Sequence, residues 1–236
     1  MFTDIIELRE FYQSPRGQTA AAMLAPVLQR HMPSASGTAV LYGYAPPSVF
    51  STLPVAVLMP ATQGISSWPD AAGNRAALVE EATWPLPEQS CDTVILMHAL
   101  EACADPHAVL RECWRVLKGQ GRLVMVVPNR RGLWARAEST PFGRGQPFTA
   151  TQLRHALRST QFVAERWERA VFVPPFKSGV LLKAASLCER VGRALLPTFG
   201  GLLVMSAAKQ LYAPTGRAAP AKPVFSFIPS NALPTA

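Results

Sequence analysis

The sequence predicts an α/β fold with a mostly parallel sheet, and three observations carry that prediction. Short apolar runs rich in strand formers recur along the chain: TAVLY at 38–42, PVAVL at 54–58, TVILM at 93–97 and RLVMVV at 122–127. They alternate with stretches of helical periodicity, the pattern of right-handed βαβ units. The chain is 236 residues long and 49% hydrophobic, enough for one α/β domain with a sizeable core.

Taken in order, Ser14-Pro15 is a helix start, with serine as N-cap and proline at the first helical position. The helix should run to about His31 with Ala21, Leu24, Leu28 and Met32 on one face, and Pro26 should kink or break it. Thr38–Tyr42 and Pro54–Leu58 read as buried strands, and Asn74–Glu81 as a short helix. Thr93–Met97 is too short for a helix and reads as a strand. Asp105-Pro106 opens a helix to Leu117, with Leu110, Trp114 and Leu117 on one face, and Lys118–Gly121 stops it in a turn. Arg122–Val127 is a strand, followed by a basic loop, Pro128–Phe148, and a helix from Thr149 or Thr151 to Ser159. Phe162–Val173 reads as a strand, broken by Pro174-Pro175. Val180–Leu196 reads as an amphipathic helix, with Leu181, Ala184, Cys188, Val191 and Leu195 on one face and Lys183, Ser186, Arg190 and Arg193 on another. Gly201–Tyr212 is the last predicted strand. The domain therefore spans 1–212, with a helical segment at 1–33 and a helical insertion at 177–200. The Pro- and Ala-rich tail, 213–236, is expected to be disordered.

The first ten residues carry four charges and no apolar run, and no stretch has the roughly 20 uninterrupted apolar residues of a spanning helix. A soluble cytoplasmic protein is expected. The four cysteines lack CxxC pairing, as suits reduced thiols, and His98, Cys103, His107 and Cys113 match no zinc spacing, so no metal is expected. Charge is unevenly spread. Residues 1–110 hold 4 Lys+Arg against 10 Asp+Glu, residues 111–177 hold 13 against 4, and residues 178–236 hold 6 against 1. The basic C-terminal half suits an anionic partner, whether acidic protein, anionic lipid or nucleic acid, and equally a solvated basic surface.

Four motifs fall in order between Trp84 and Asn129. They are Trp84-Pro85-Leu86-Pro87-Glu88-Gln89-Ser90-Cys91-Asp92, His98-Ala99-Leu100-Glu101, Arg115-Val116-Leu117-Lys118-Gly119-Gln120-Gly121, and Pro128-Asn129. This stretch resembles the type 11 group of class I S-adenosylmethionine-dependent methyltransferases, whose members commonly read LPFPDNSFDVV, HVLEH, RVLKPGG and VPN. The resemblance implies a Rossmann-like, seven-stranded sheet with an antiparallel last strand, and S-adenosylmethionine as cofactor.

The cofactor end departs from that pattern. The first strand should feed a GxGxG loop with an acid before it, because glycines let the backbone approach the methionine end of the cofactor. Here it reads Tyr42-Gly43-Tyr44-Ala45-Pro46-Pro47. The second strand should end in an acid for the ribose hydroxyls, and Met59 stands there instead. Glu80 and Glu81 remain where relatives hold adenine, and His98 and Glu101 near the floor of the site. Cofactor binding is expected to be weak or lost. His98 is the candidate base, because its ordinary pKa of roughly 6.5 suits proton removal from an acceptor. No [DNS]PP[YF] motif follows the TVILM strand, which argues against methylation of base amines. The loop 129–136 places Arg130, Arg131 and Arg136 around an exposed-looking Trp134, a combination suited to phosphates, bases or a membrane interface, unless Leu133 and Trp134 anchor the loop on the core and the arginines are simply solvated. With Lys183, Arg190 and Arg193 these are the candidate recognition residues. Three readings stay open: a methyltransferase for a small or lipid-like acceptor, a catalytically inactive adaptor of the same fold, and an RNA-binding or RNA-modifying protein.

Overall fold

A computed structural model describes residues 4–33, 37–50, 55–176 and 184–211. Seven strands form one sheet: β1 (Ala39–Gly43), β2 (Val55–Pro60), β3 (Ala76–Val79), β4 (Cys91–Met97), β5 (Leu117–Pro128), β6 (Phe162–Ala170) and β7 (Leu202–Lys209). Their spatial order is β3-β2-β1-β4-β5-β7-β6. The first five run parallel to one another, and β7 lies antiparallel between β5 and β6. This is the mostly parallel sheet with an antiparallel last strand that the resemblance implies.

The central strands are apolar on both faces because both are covered. Leu41, Ile95, Met97, Val124 and Val204 face one layer, with Ile5, Leu8, Leu24 and Leu28 of α1 (Ile5–Gln13) and α2 (Pro15–His31). Val40, Tyr42, Leu96, Leu123 and Met205 face the other, with Leu110, Cys113 and Leu157 of α3 (Pro106–Val116) and α4 (Ala150–Ser159). A fifth helix, α5 (Ala185–Leu195), stands between β6 and β7 in the chain.

Several expectations need correction. Helix α1, capped by Asp4, was not foreseen. Helix α2 starts at the Ser14 cap and runs to His31 as expected, and Pro26 lies inside it without breaking it. The segment expected as a helix at 74–81 is strand β3. Its Ala76 and Ala77 have helix propensity, but pairing with Val57 and Leu58 on an open sheet edge overrides it. The turn expected at 118–121 lies inside β5: Cys91 pairs with Leu117 but Thr93 pairs with Arg122, so the glycines form an irregularity within the strand. The helix expected from Val180 is described from Ala185. Leu181 and Lys183, and the tail at 213–236, lie outside the described residues.

Candidate functional site

In open α/β sheets, ligands sit beyond the carboxyl ends of the strands. Here that edge is formed by Gly43, Pro60 and Met97, the last residues of β1, β2 and β4. Gly43 has φ +98°, and a Cβ there would lie 2.2 Å from the Met97 carbonyl oxygen, so only glycine fits. The turn after it is committed internally. The Tyr44 amide donates to Met97 O at 2.9 Å, and the Ala45 carbonyl accepts from the indole N–H of buried Trp68 at 2.8 Å. Pro46 and Pro47 have no amide to offer. Only one turn of 3-10 helix, Pro47–Val49, is described between β1 and β2, and the 61–75 connection to β3 has no helix.

Met59 is fully buried, its sulfur accepting from the Ser66 amide at 3.4 Å. The Glu81 carboxylate accepts from the Thr62 hydroxyl and the Ala104 amide, both at 3.1 Å, and so ties β2's exit to β4's exit. Glu80 is exposed on the edge. Tyr42 departs from expectation. Strand alternation turns its ring into the α3 layer, 4.7 Å from the Trp84 ring, with its hydroxyl buried and without a hydrogen bond.

His98 is the centre of the edge. It follows β4 in a left-handed conformation, φ +53°, which a non-glycine residue holds only when its surroundings enforce it. Buried Gln63 donates to its carbonyl at 2.7 Å. Its Nε2 lies 2.8 Å from the Tyr12 hydroxyl, and its Nδ1 lies 3.3 Å from Glu101 Oε1. The Phe142 ring covers its face at 4.8 Å. Tyr12, His98 and Glu101 are all buried. Burial pushes the Tyr12 hydroxyl well above its ordinary pKa, and the Glu101 charge adds to this. Burial pushes Tyr44 up to about 12. The Glu101 contact lacks hydrogen-bond alignment, so both its carboxylate oxygens, with Gln63 Oε1, are buried acceptors without a hydrogen bond.

Sequence reasoning named His98, Glu101, Gly43, Tyr44, Ala45 and Met59, and these do meet at one edge. It missed Tyr12, Gln63, Trp68 and Phe142, which arrive from other segments. Loop 139–144 holds α1 down through Arg144 on Glu7, and Arg16 of α2 reaches Ser139. Of the basic loop, Arg130, Arg131 and Arg136 are exposed, but Trp134 is not. It is 1% exposed, with its N–H on Val173 O at 2.6 Å, and so anchors the loop rather than presenting a ring to a ligand. Arg190 is exposed, and Arg193 pairs with Glu189 at 3.2 Å.

Residues 65–125 match the family model of a type 11 methyltransferase domain. No curated protein matches the chain in sequence. Among solved structures, the chain is similar to a possible histamine N-methyltransferase from Thermotoga maritima: 15% identity, TM-score 0.61, covering 87% of this chain and 96% of that one. It is also similar to a Haloferax volcanii methyltransferase solved in complex with the Trm112 activator (16% identity, TM-score 0.64, 88% and 97% covered). A third similarity is to the [4+2]-cyclase SpnF (18% identity, TM-score 0.54, 80% of each chain).

Proposed function

We propose that this chain, which has the class I S-adenosylmethionine-dependent methyltransferase fold and carries a type 11 methyltransferase segment, works as a non-catalytic adaptor or regulatory subunit. The observation that carries this reading is the state of the turn after β1. Its Tyr44 amide is used by Met97, Pro46 and Pro47 carry no amide, and Tyr44, Ala45 and Trp68 are packed into it. These residues do not fit the methionine end of the cofactor held in the family's manner, which needs free amides and room for backbone approach. Met59 supplies no carboxylate for ribose hydroxyls. Each missing charged hydrogen bond costs roughly 1.5–3 kcal/mol, about tenfold to a hundredfold in affinity. That a similar fold is found assembled with the Trm112 activator shows that the fold can bind a protein partner, there as the activated component.

Calorimetry with S-adenosylmethionine and S-adenosylhomocysteine tests this. Dissociation constants weaker than about 100 μM are expected, and tighter binding overturns the reading.

One observation favours a second reading, methyl transfer to a small or lipid-like acceptor with His98 as base. The Tyr12–His98–Glu101 chain and the unpaired acceptors of Glu101 and Gln63 form a polar cluster at the ligand edge. In that reading Glu81, Glu101 and Gln63 hold the cofactor's hydroxyl and amino donors. Tyr12→Phe and His98→Gln would then weaken cofactor binding, whereas the adaptor reading expects no binding to weaken. The RNA reading loses its stacking residue with the burial of Trp134.

A further inference from the structure

Helix α5 is turned inside out. Its one acid, Glu189, is buried, accepting from the Phe172 amide at 2.6 Å and pairing with Arg193. Ala185 and Cys188 pack on the core, but the larger apolar residues point outward: Leu187, Val191 and Leu195 are 55%, 46% and 73% exposed, on one ridge at i, i+4 and i+8. The ridge continues through Leu196 and Phe199. It then meets the basic loop after β5, where Asn129 Nδ2 donates to the carbonyls of Thr198 and Gly200 and fixes exposed Leu133 beside them.

The charges around this ridge are of one sign. Arg190 stands beside it on the helix, Arg193 lies on the far side against Glu189 and the Phe172 ring, and Arg130 and Arg131 stand on the adjoining loop. Arg131 lies close enough to Arg169 to help burial lower that guanidinium's pKa. Glu189 is the only acid between residues 178 and 236, and it points inward. Exposed Leu, Val and Phe side chains have no use for water, and Arg130, Arg131 and Arg190, which have no ion pair among the described residues, call for an anion.

We propose that α5, the Pro197–Phe199 turn and the 130–133 loop form a docking surface for an anionic lipid bilayer. The chain would lie on that bilayer without crossing it. Among the described residues no helix is long and apolar enough to cross a membrane. An interfacial helix buries its apolar face in the headgroup boundary and keeps basic residues at headgroup level, the distribution seen here. The sign of the charge selects the occupant: an apolar ridge beside arginines that face no acid matches anionic headgroups over apolar tails. This inference does not depend on whether the β1 turn holds a cofactor.

The test is co-sedimentation of the full chain with phosphatidylglycerol/phosphatidylcholine vesicles and with phosphatidylcholine alone. Binding is expected only to the anionic vesicles, falling steeply between about 0.1 M and 1 M salt. Val191→Asp and Leu195→Asp should each weaken it roughly tenfold or more, and the Arg130→Glu/Arg190→Glu pair by a similar factor. Thermal unfolding of all variants should stay within a few degrees of the parent. Absence of binding, equal binding to both vesicle types, or full binding by Leu195→Asp overturns the proposal. So does a parent that runs as a dimer in solution and becomes a monomer with Leu195→Asp, which would assign the ridge to a second copy of the chain.

Discussion

The two halves of the sheet were built by different rules. From β4 onward the chain follows the parallel α/β plan: strand, helix α3 crossing over the sheet, then β5, with capped helix ends and alternating apolar faces. From β1 to β3 the strands have the same order and register, but the described connections carry one turn of 3-10 helix. Beyond the strand ends Tyr12 of α1 and Phe142 of the 139–145 loop close over Tyr44 and His98. Strand order is thus a property of the hydrophobic pattern. A ligand cradle is a property of a few loop amides, and it can be removed without disturbing the sheet.

The comparison is open to attack at its glycines, where the largest effect is expected. Gly43→Ala puts a Cβ against the fixed Met97 carbonyl at positive φ, and should destabilise by about 3 kcal/mol or more. Gly119→Ala meets a flexible Leu211 methyl group at 2.7 Å and should cost under about 1 kcal/mol. Urea midpoints measure both, and a tolerated Gly43→Ala would mean that the β1 turn is looser than its hydrogen bonds imply.

A smaller effect should follow at the anchor of the basic loop. Trp134→Phe keeps most of the packing and leaves the buried Val173 carbonyl without its donor, at about 1–3 kcal/mol. Smaller again is Tyr12→Phe, which deletes the hydroxyl on His98 Nε2 and should cost about 1 kcal/mol by denaturant melts. If it stabilises instead, Tyr12 is held there against its own preference, and the edge is built for a ligand rather than for closure.

The smallest effect lies away from both edges. His31 is buried at the end of α2, and its pKa is lowered, by burial first and by Arg166 and Arg30, with Glu168 opposing. The unfolded chain then takes up that proton before the native one does. The associated stability is complete above roughly pH 6.5 and declines as pH falls below it. Arg30 holds the Glu168 carboxyl below its ordinary range, so its own loss begins only at more acid pH. Unfolding midpoints at pH 7.5 and about 5.5 should differ less in His31→Gln than in the parent.

The second half was legible because its signals are local. Asp105-Pro106 caps α3, Thr149 with Gln152 forms a capping box on α4, and the β4 and β5 runs are strongly apolar. The first half was less so. Ala76–Val79 carries no strand signature of its own and becomes β3 by lying against β2. The site was half legible. Motif position brought out His98, Glu101, Gly43 and Met59, whereas Tyr12 and Gln63 reach His98 from 86 and 35 residues away. Trp134 looked exposed among arginines, and nothing within its loop signals that Gly201 leaves space for the indole, where a Cβ would come within 2.3 Å.

The position of β7 has a consequence for how the molecule is made. Among the described residues it is the last strand in sequence, yet it fills the slot between β5 and β6, hydrogen-bonded to both. Until it emerges from the ribosome, the apolar strand 122–127 has one unpaired edge and β6 has no partner at all. Pairing β5 with β7 closes a loop of some 80 residues, an entropically slow step, during which an apolar edge is open to other chains. Synthesis that stalls before Leu202 should therefore yield aggregates rather than a smaller folded domain. Chaperone capture of such truncated chains should exceed that of chains ending at Leu211.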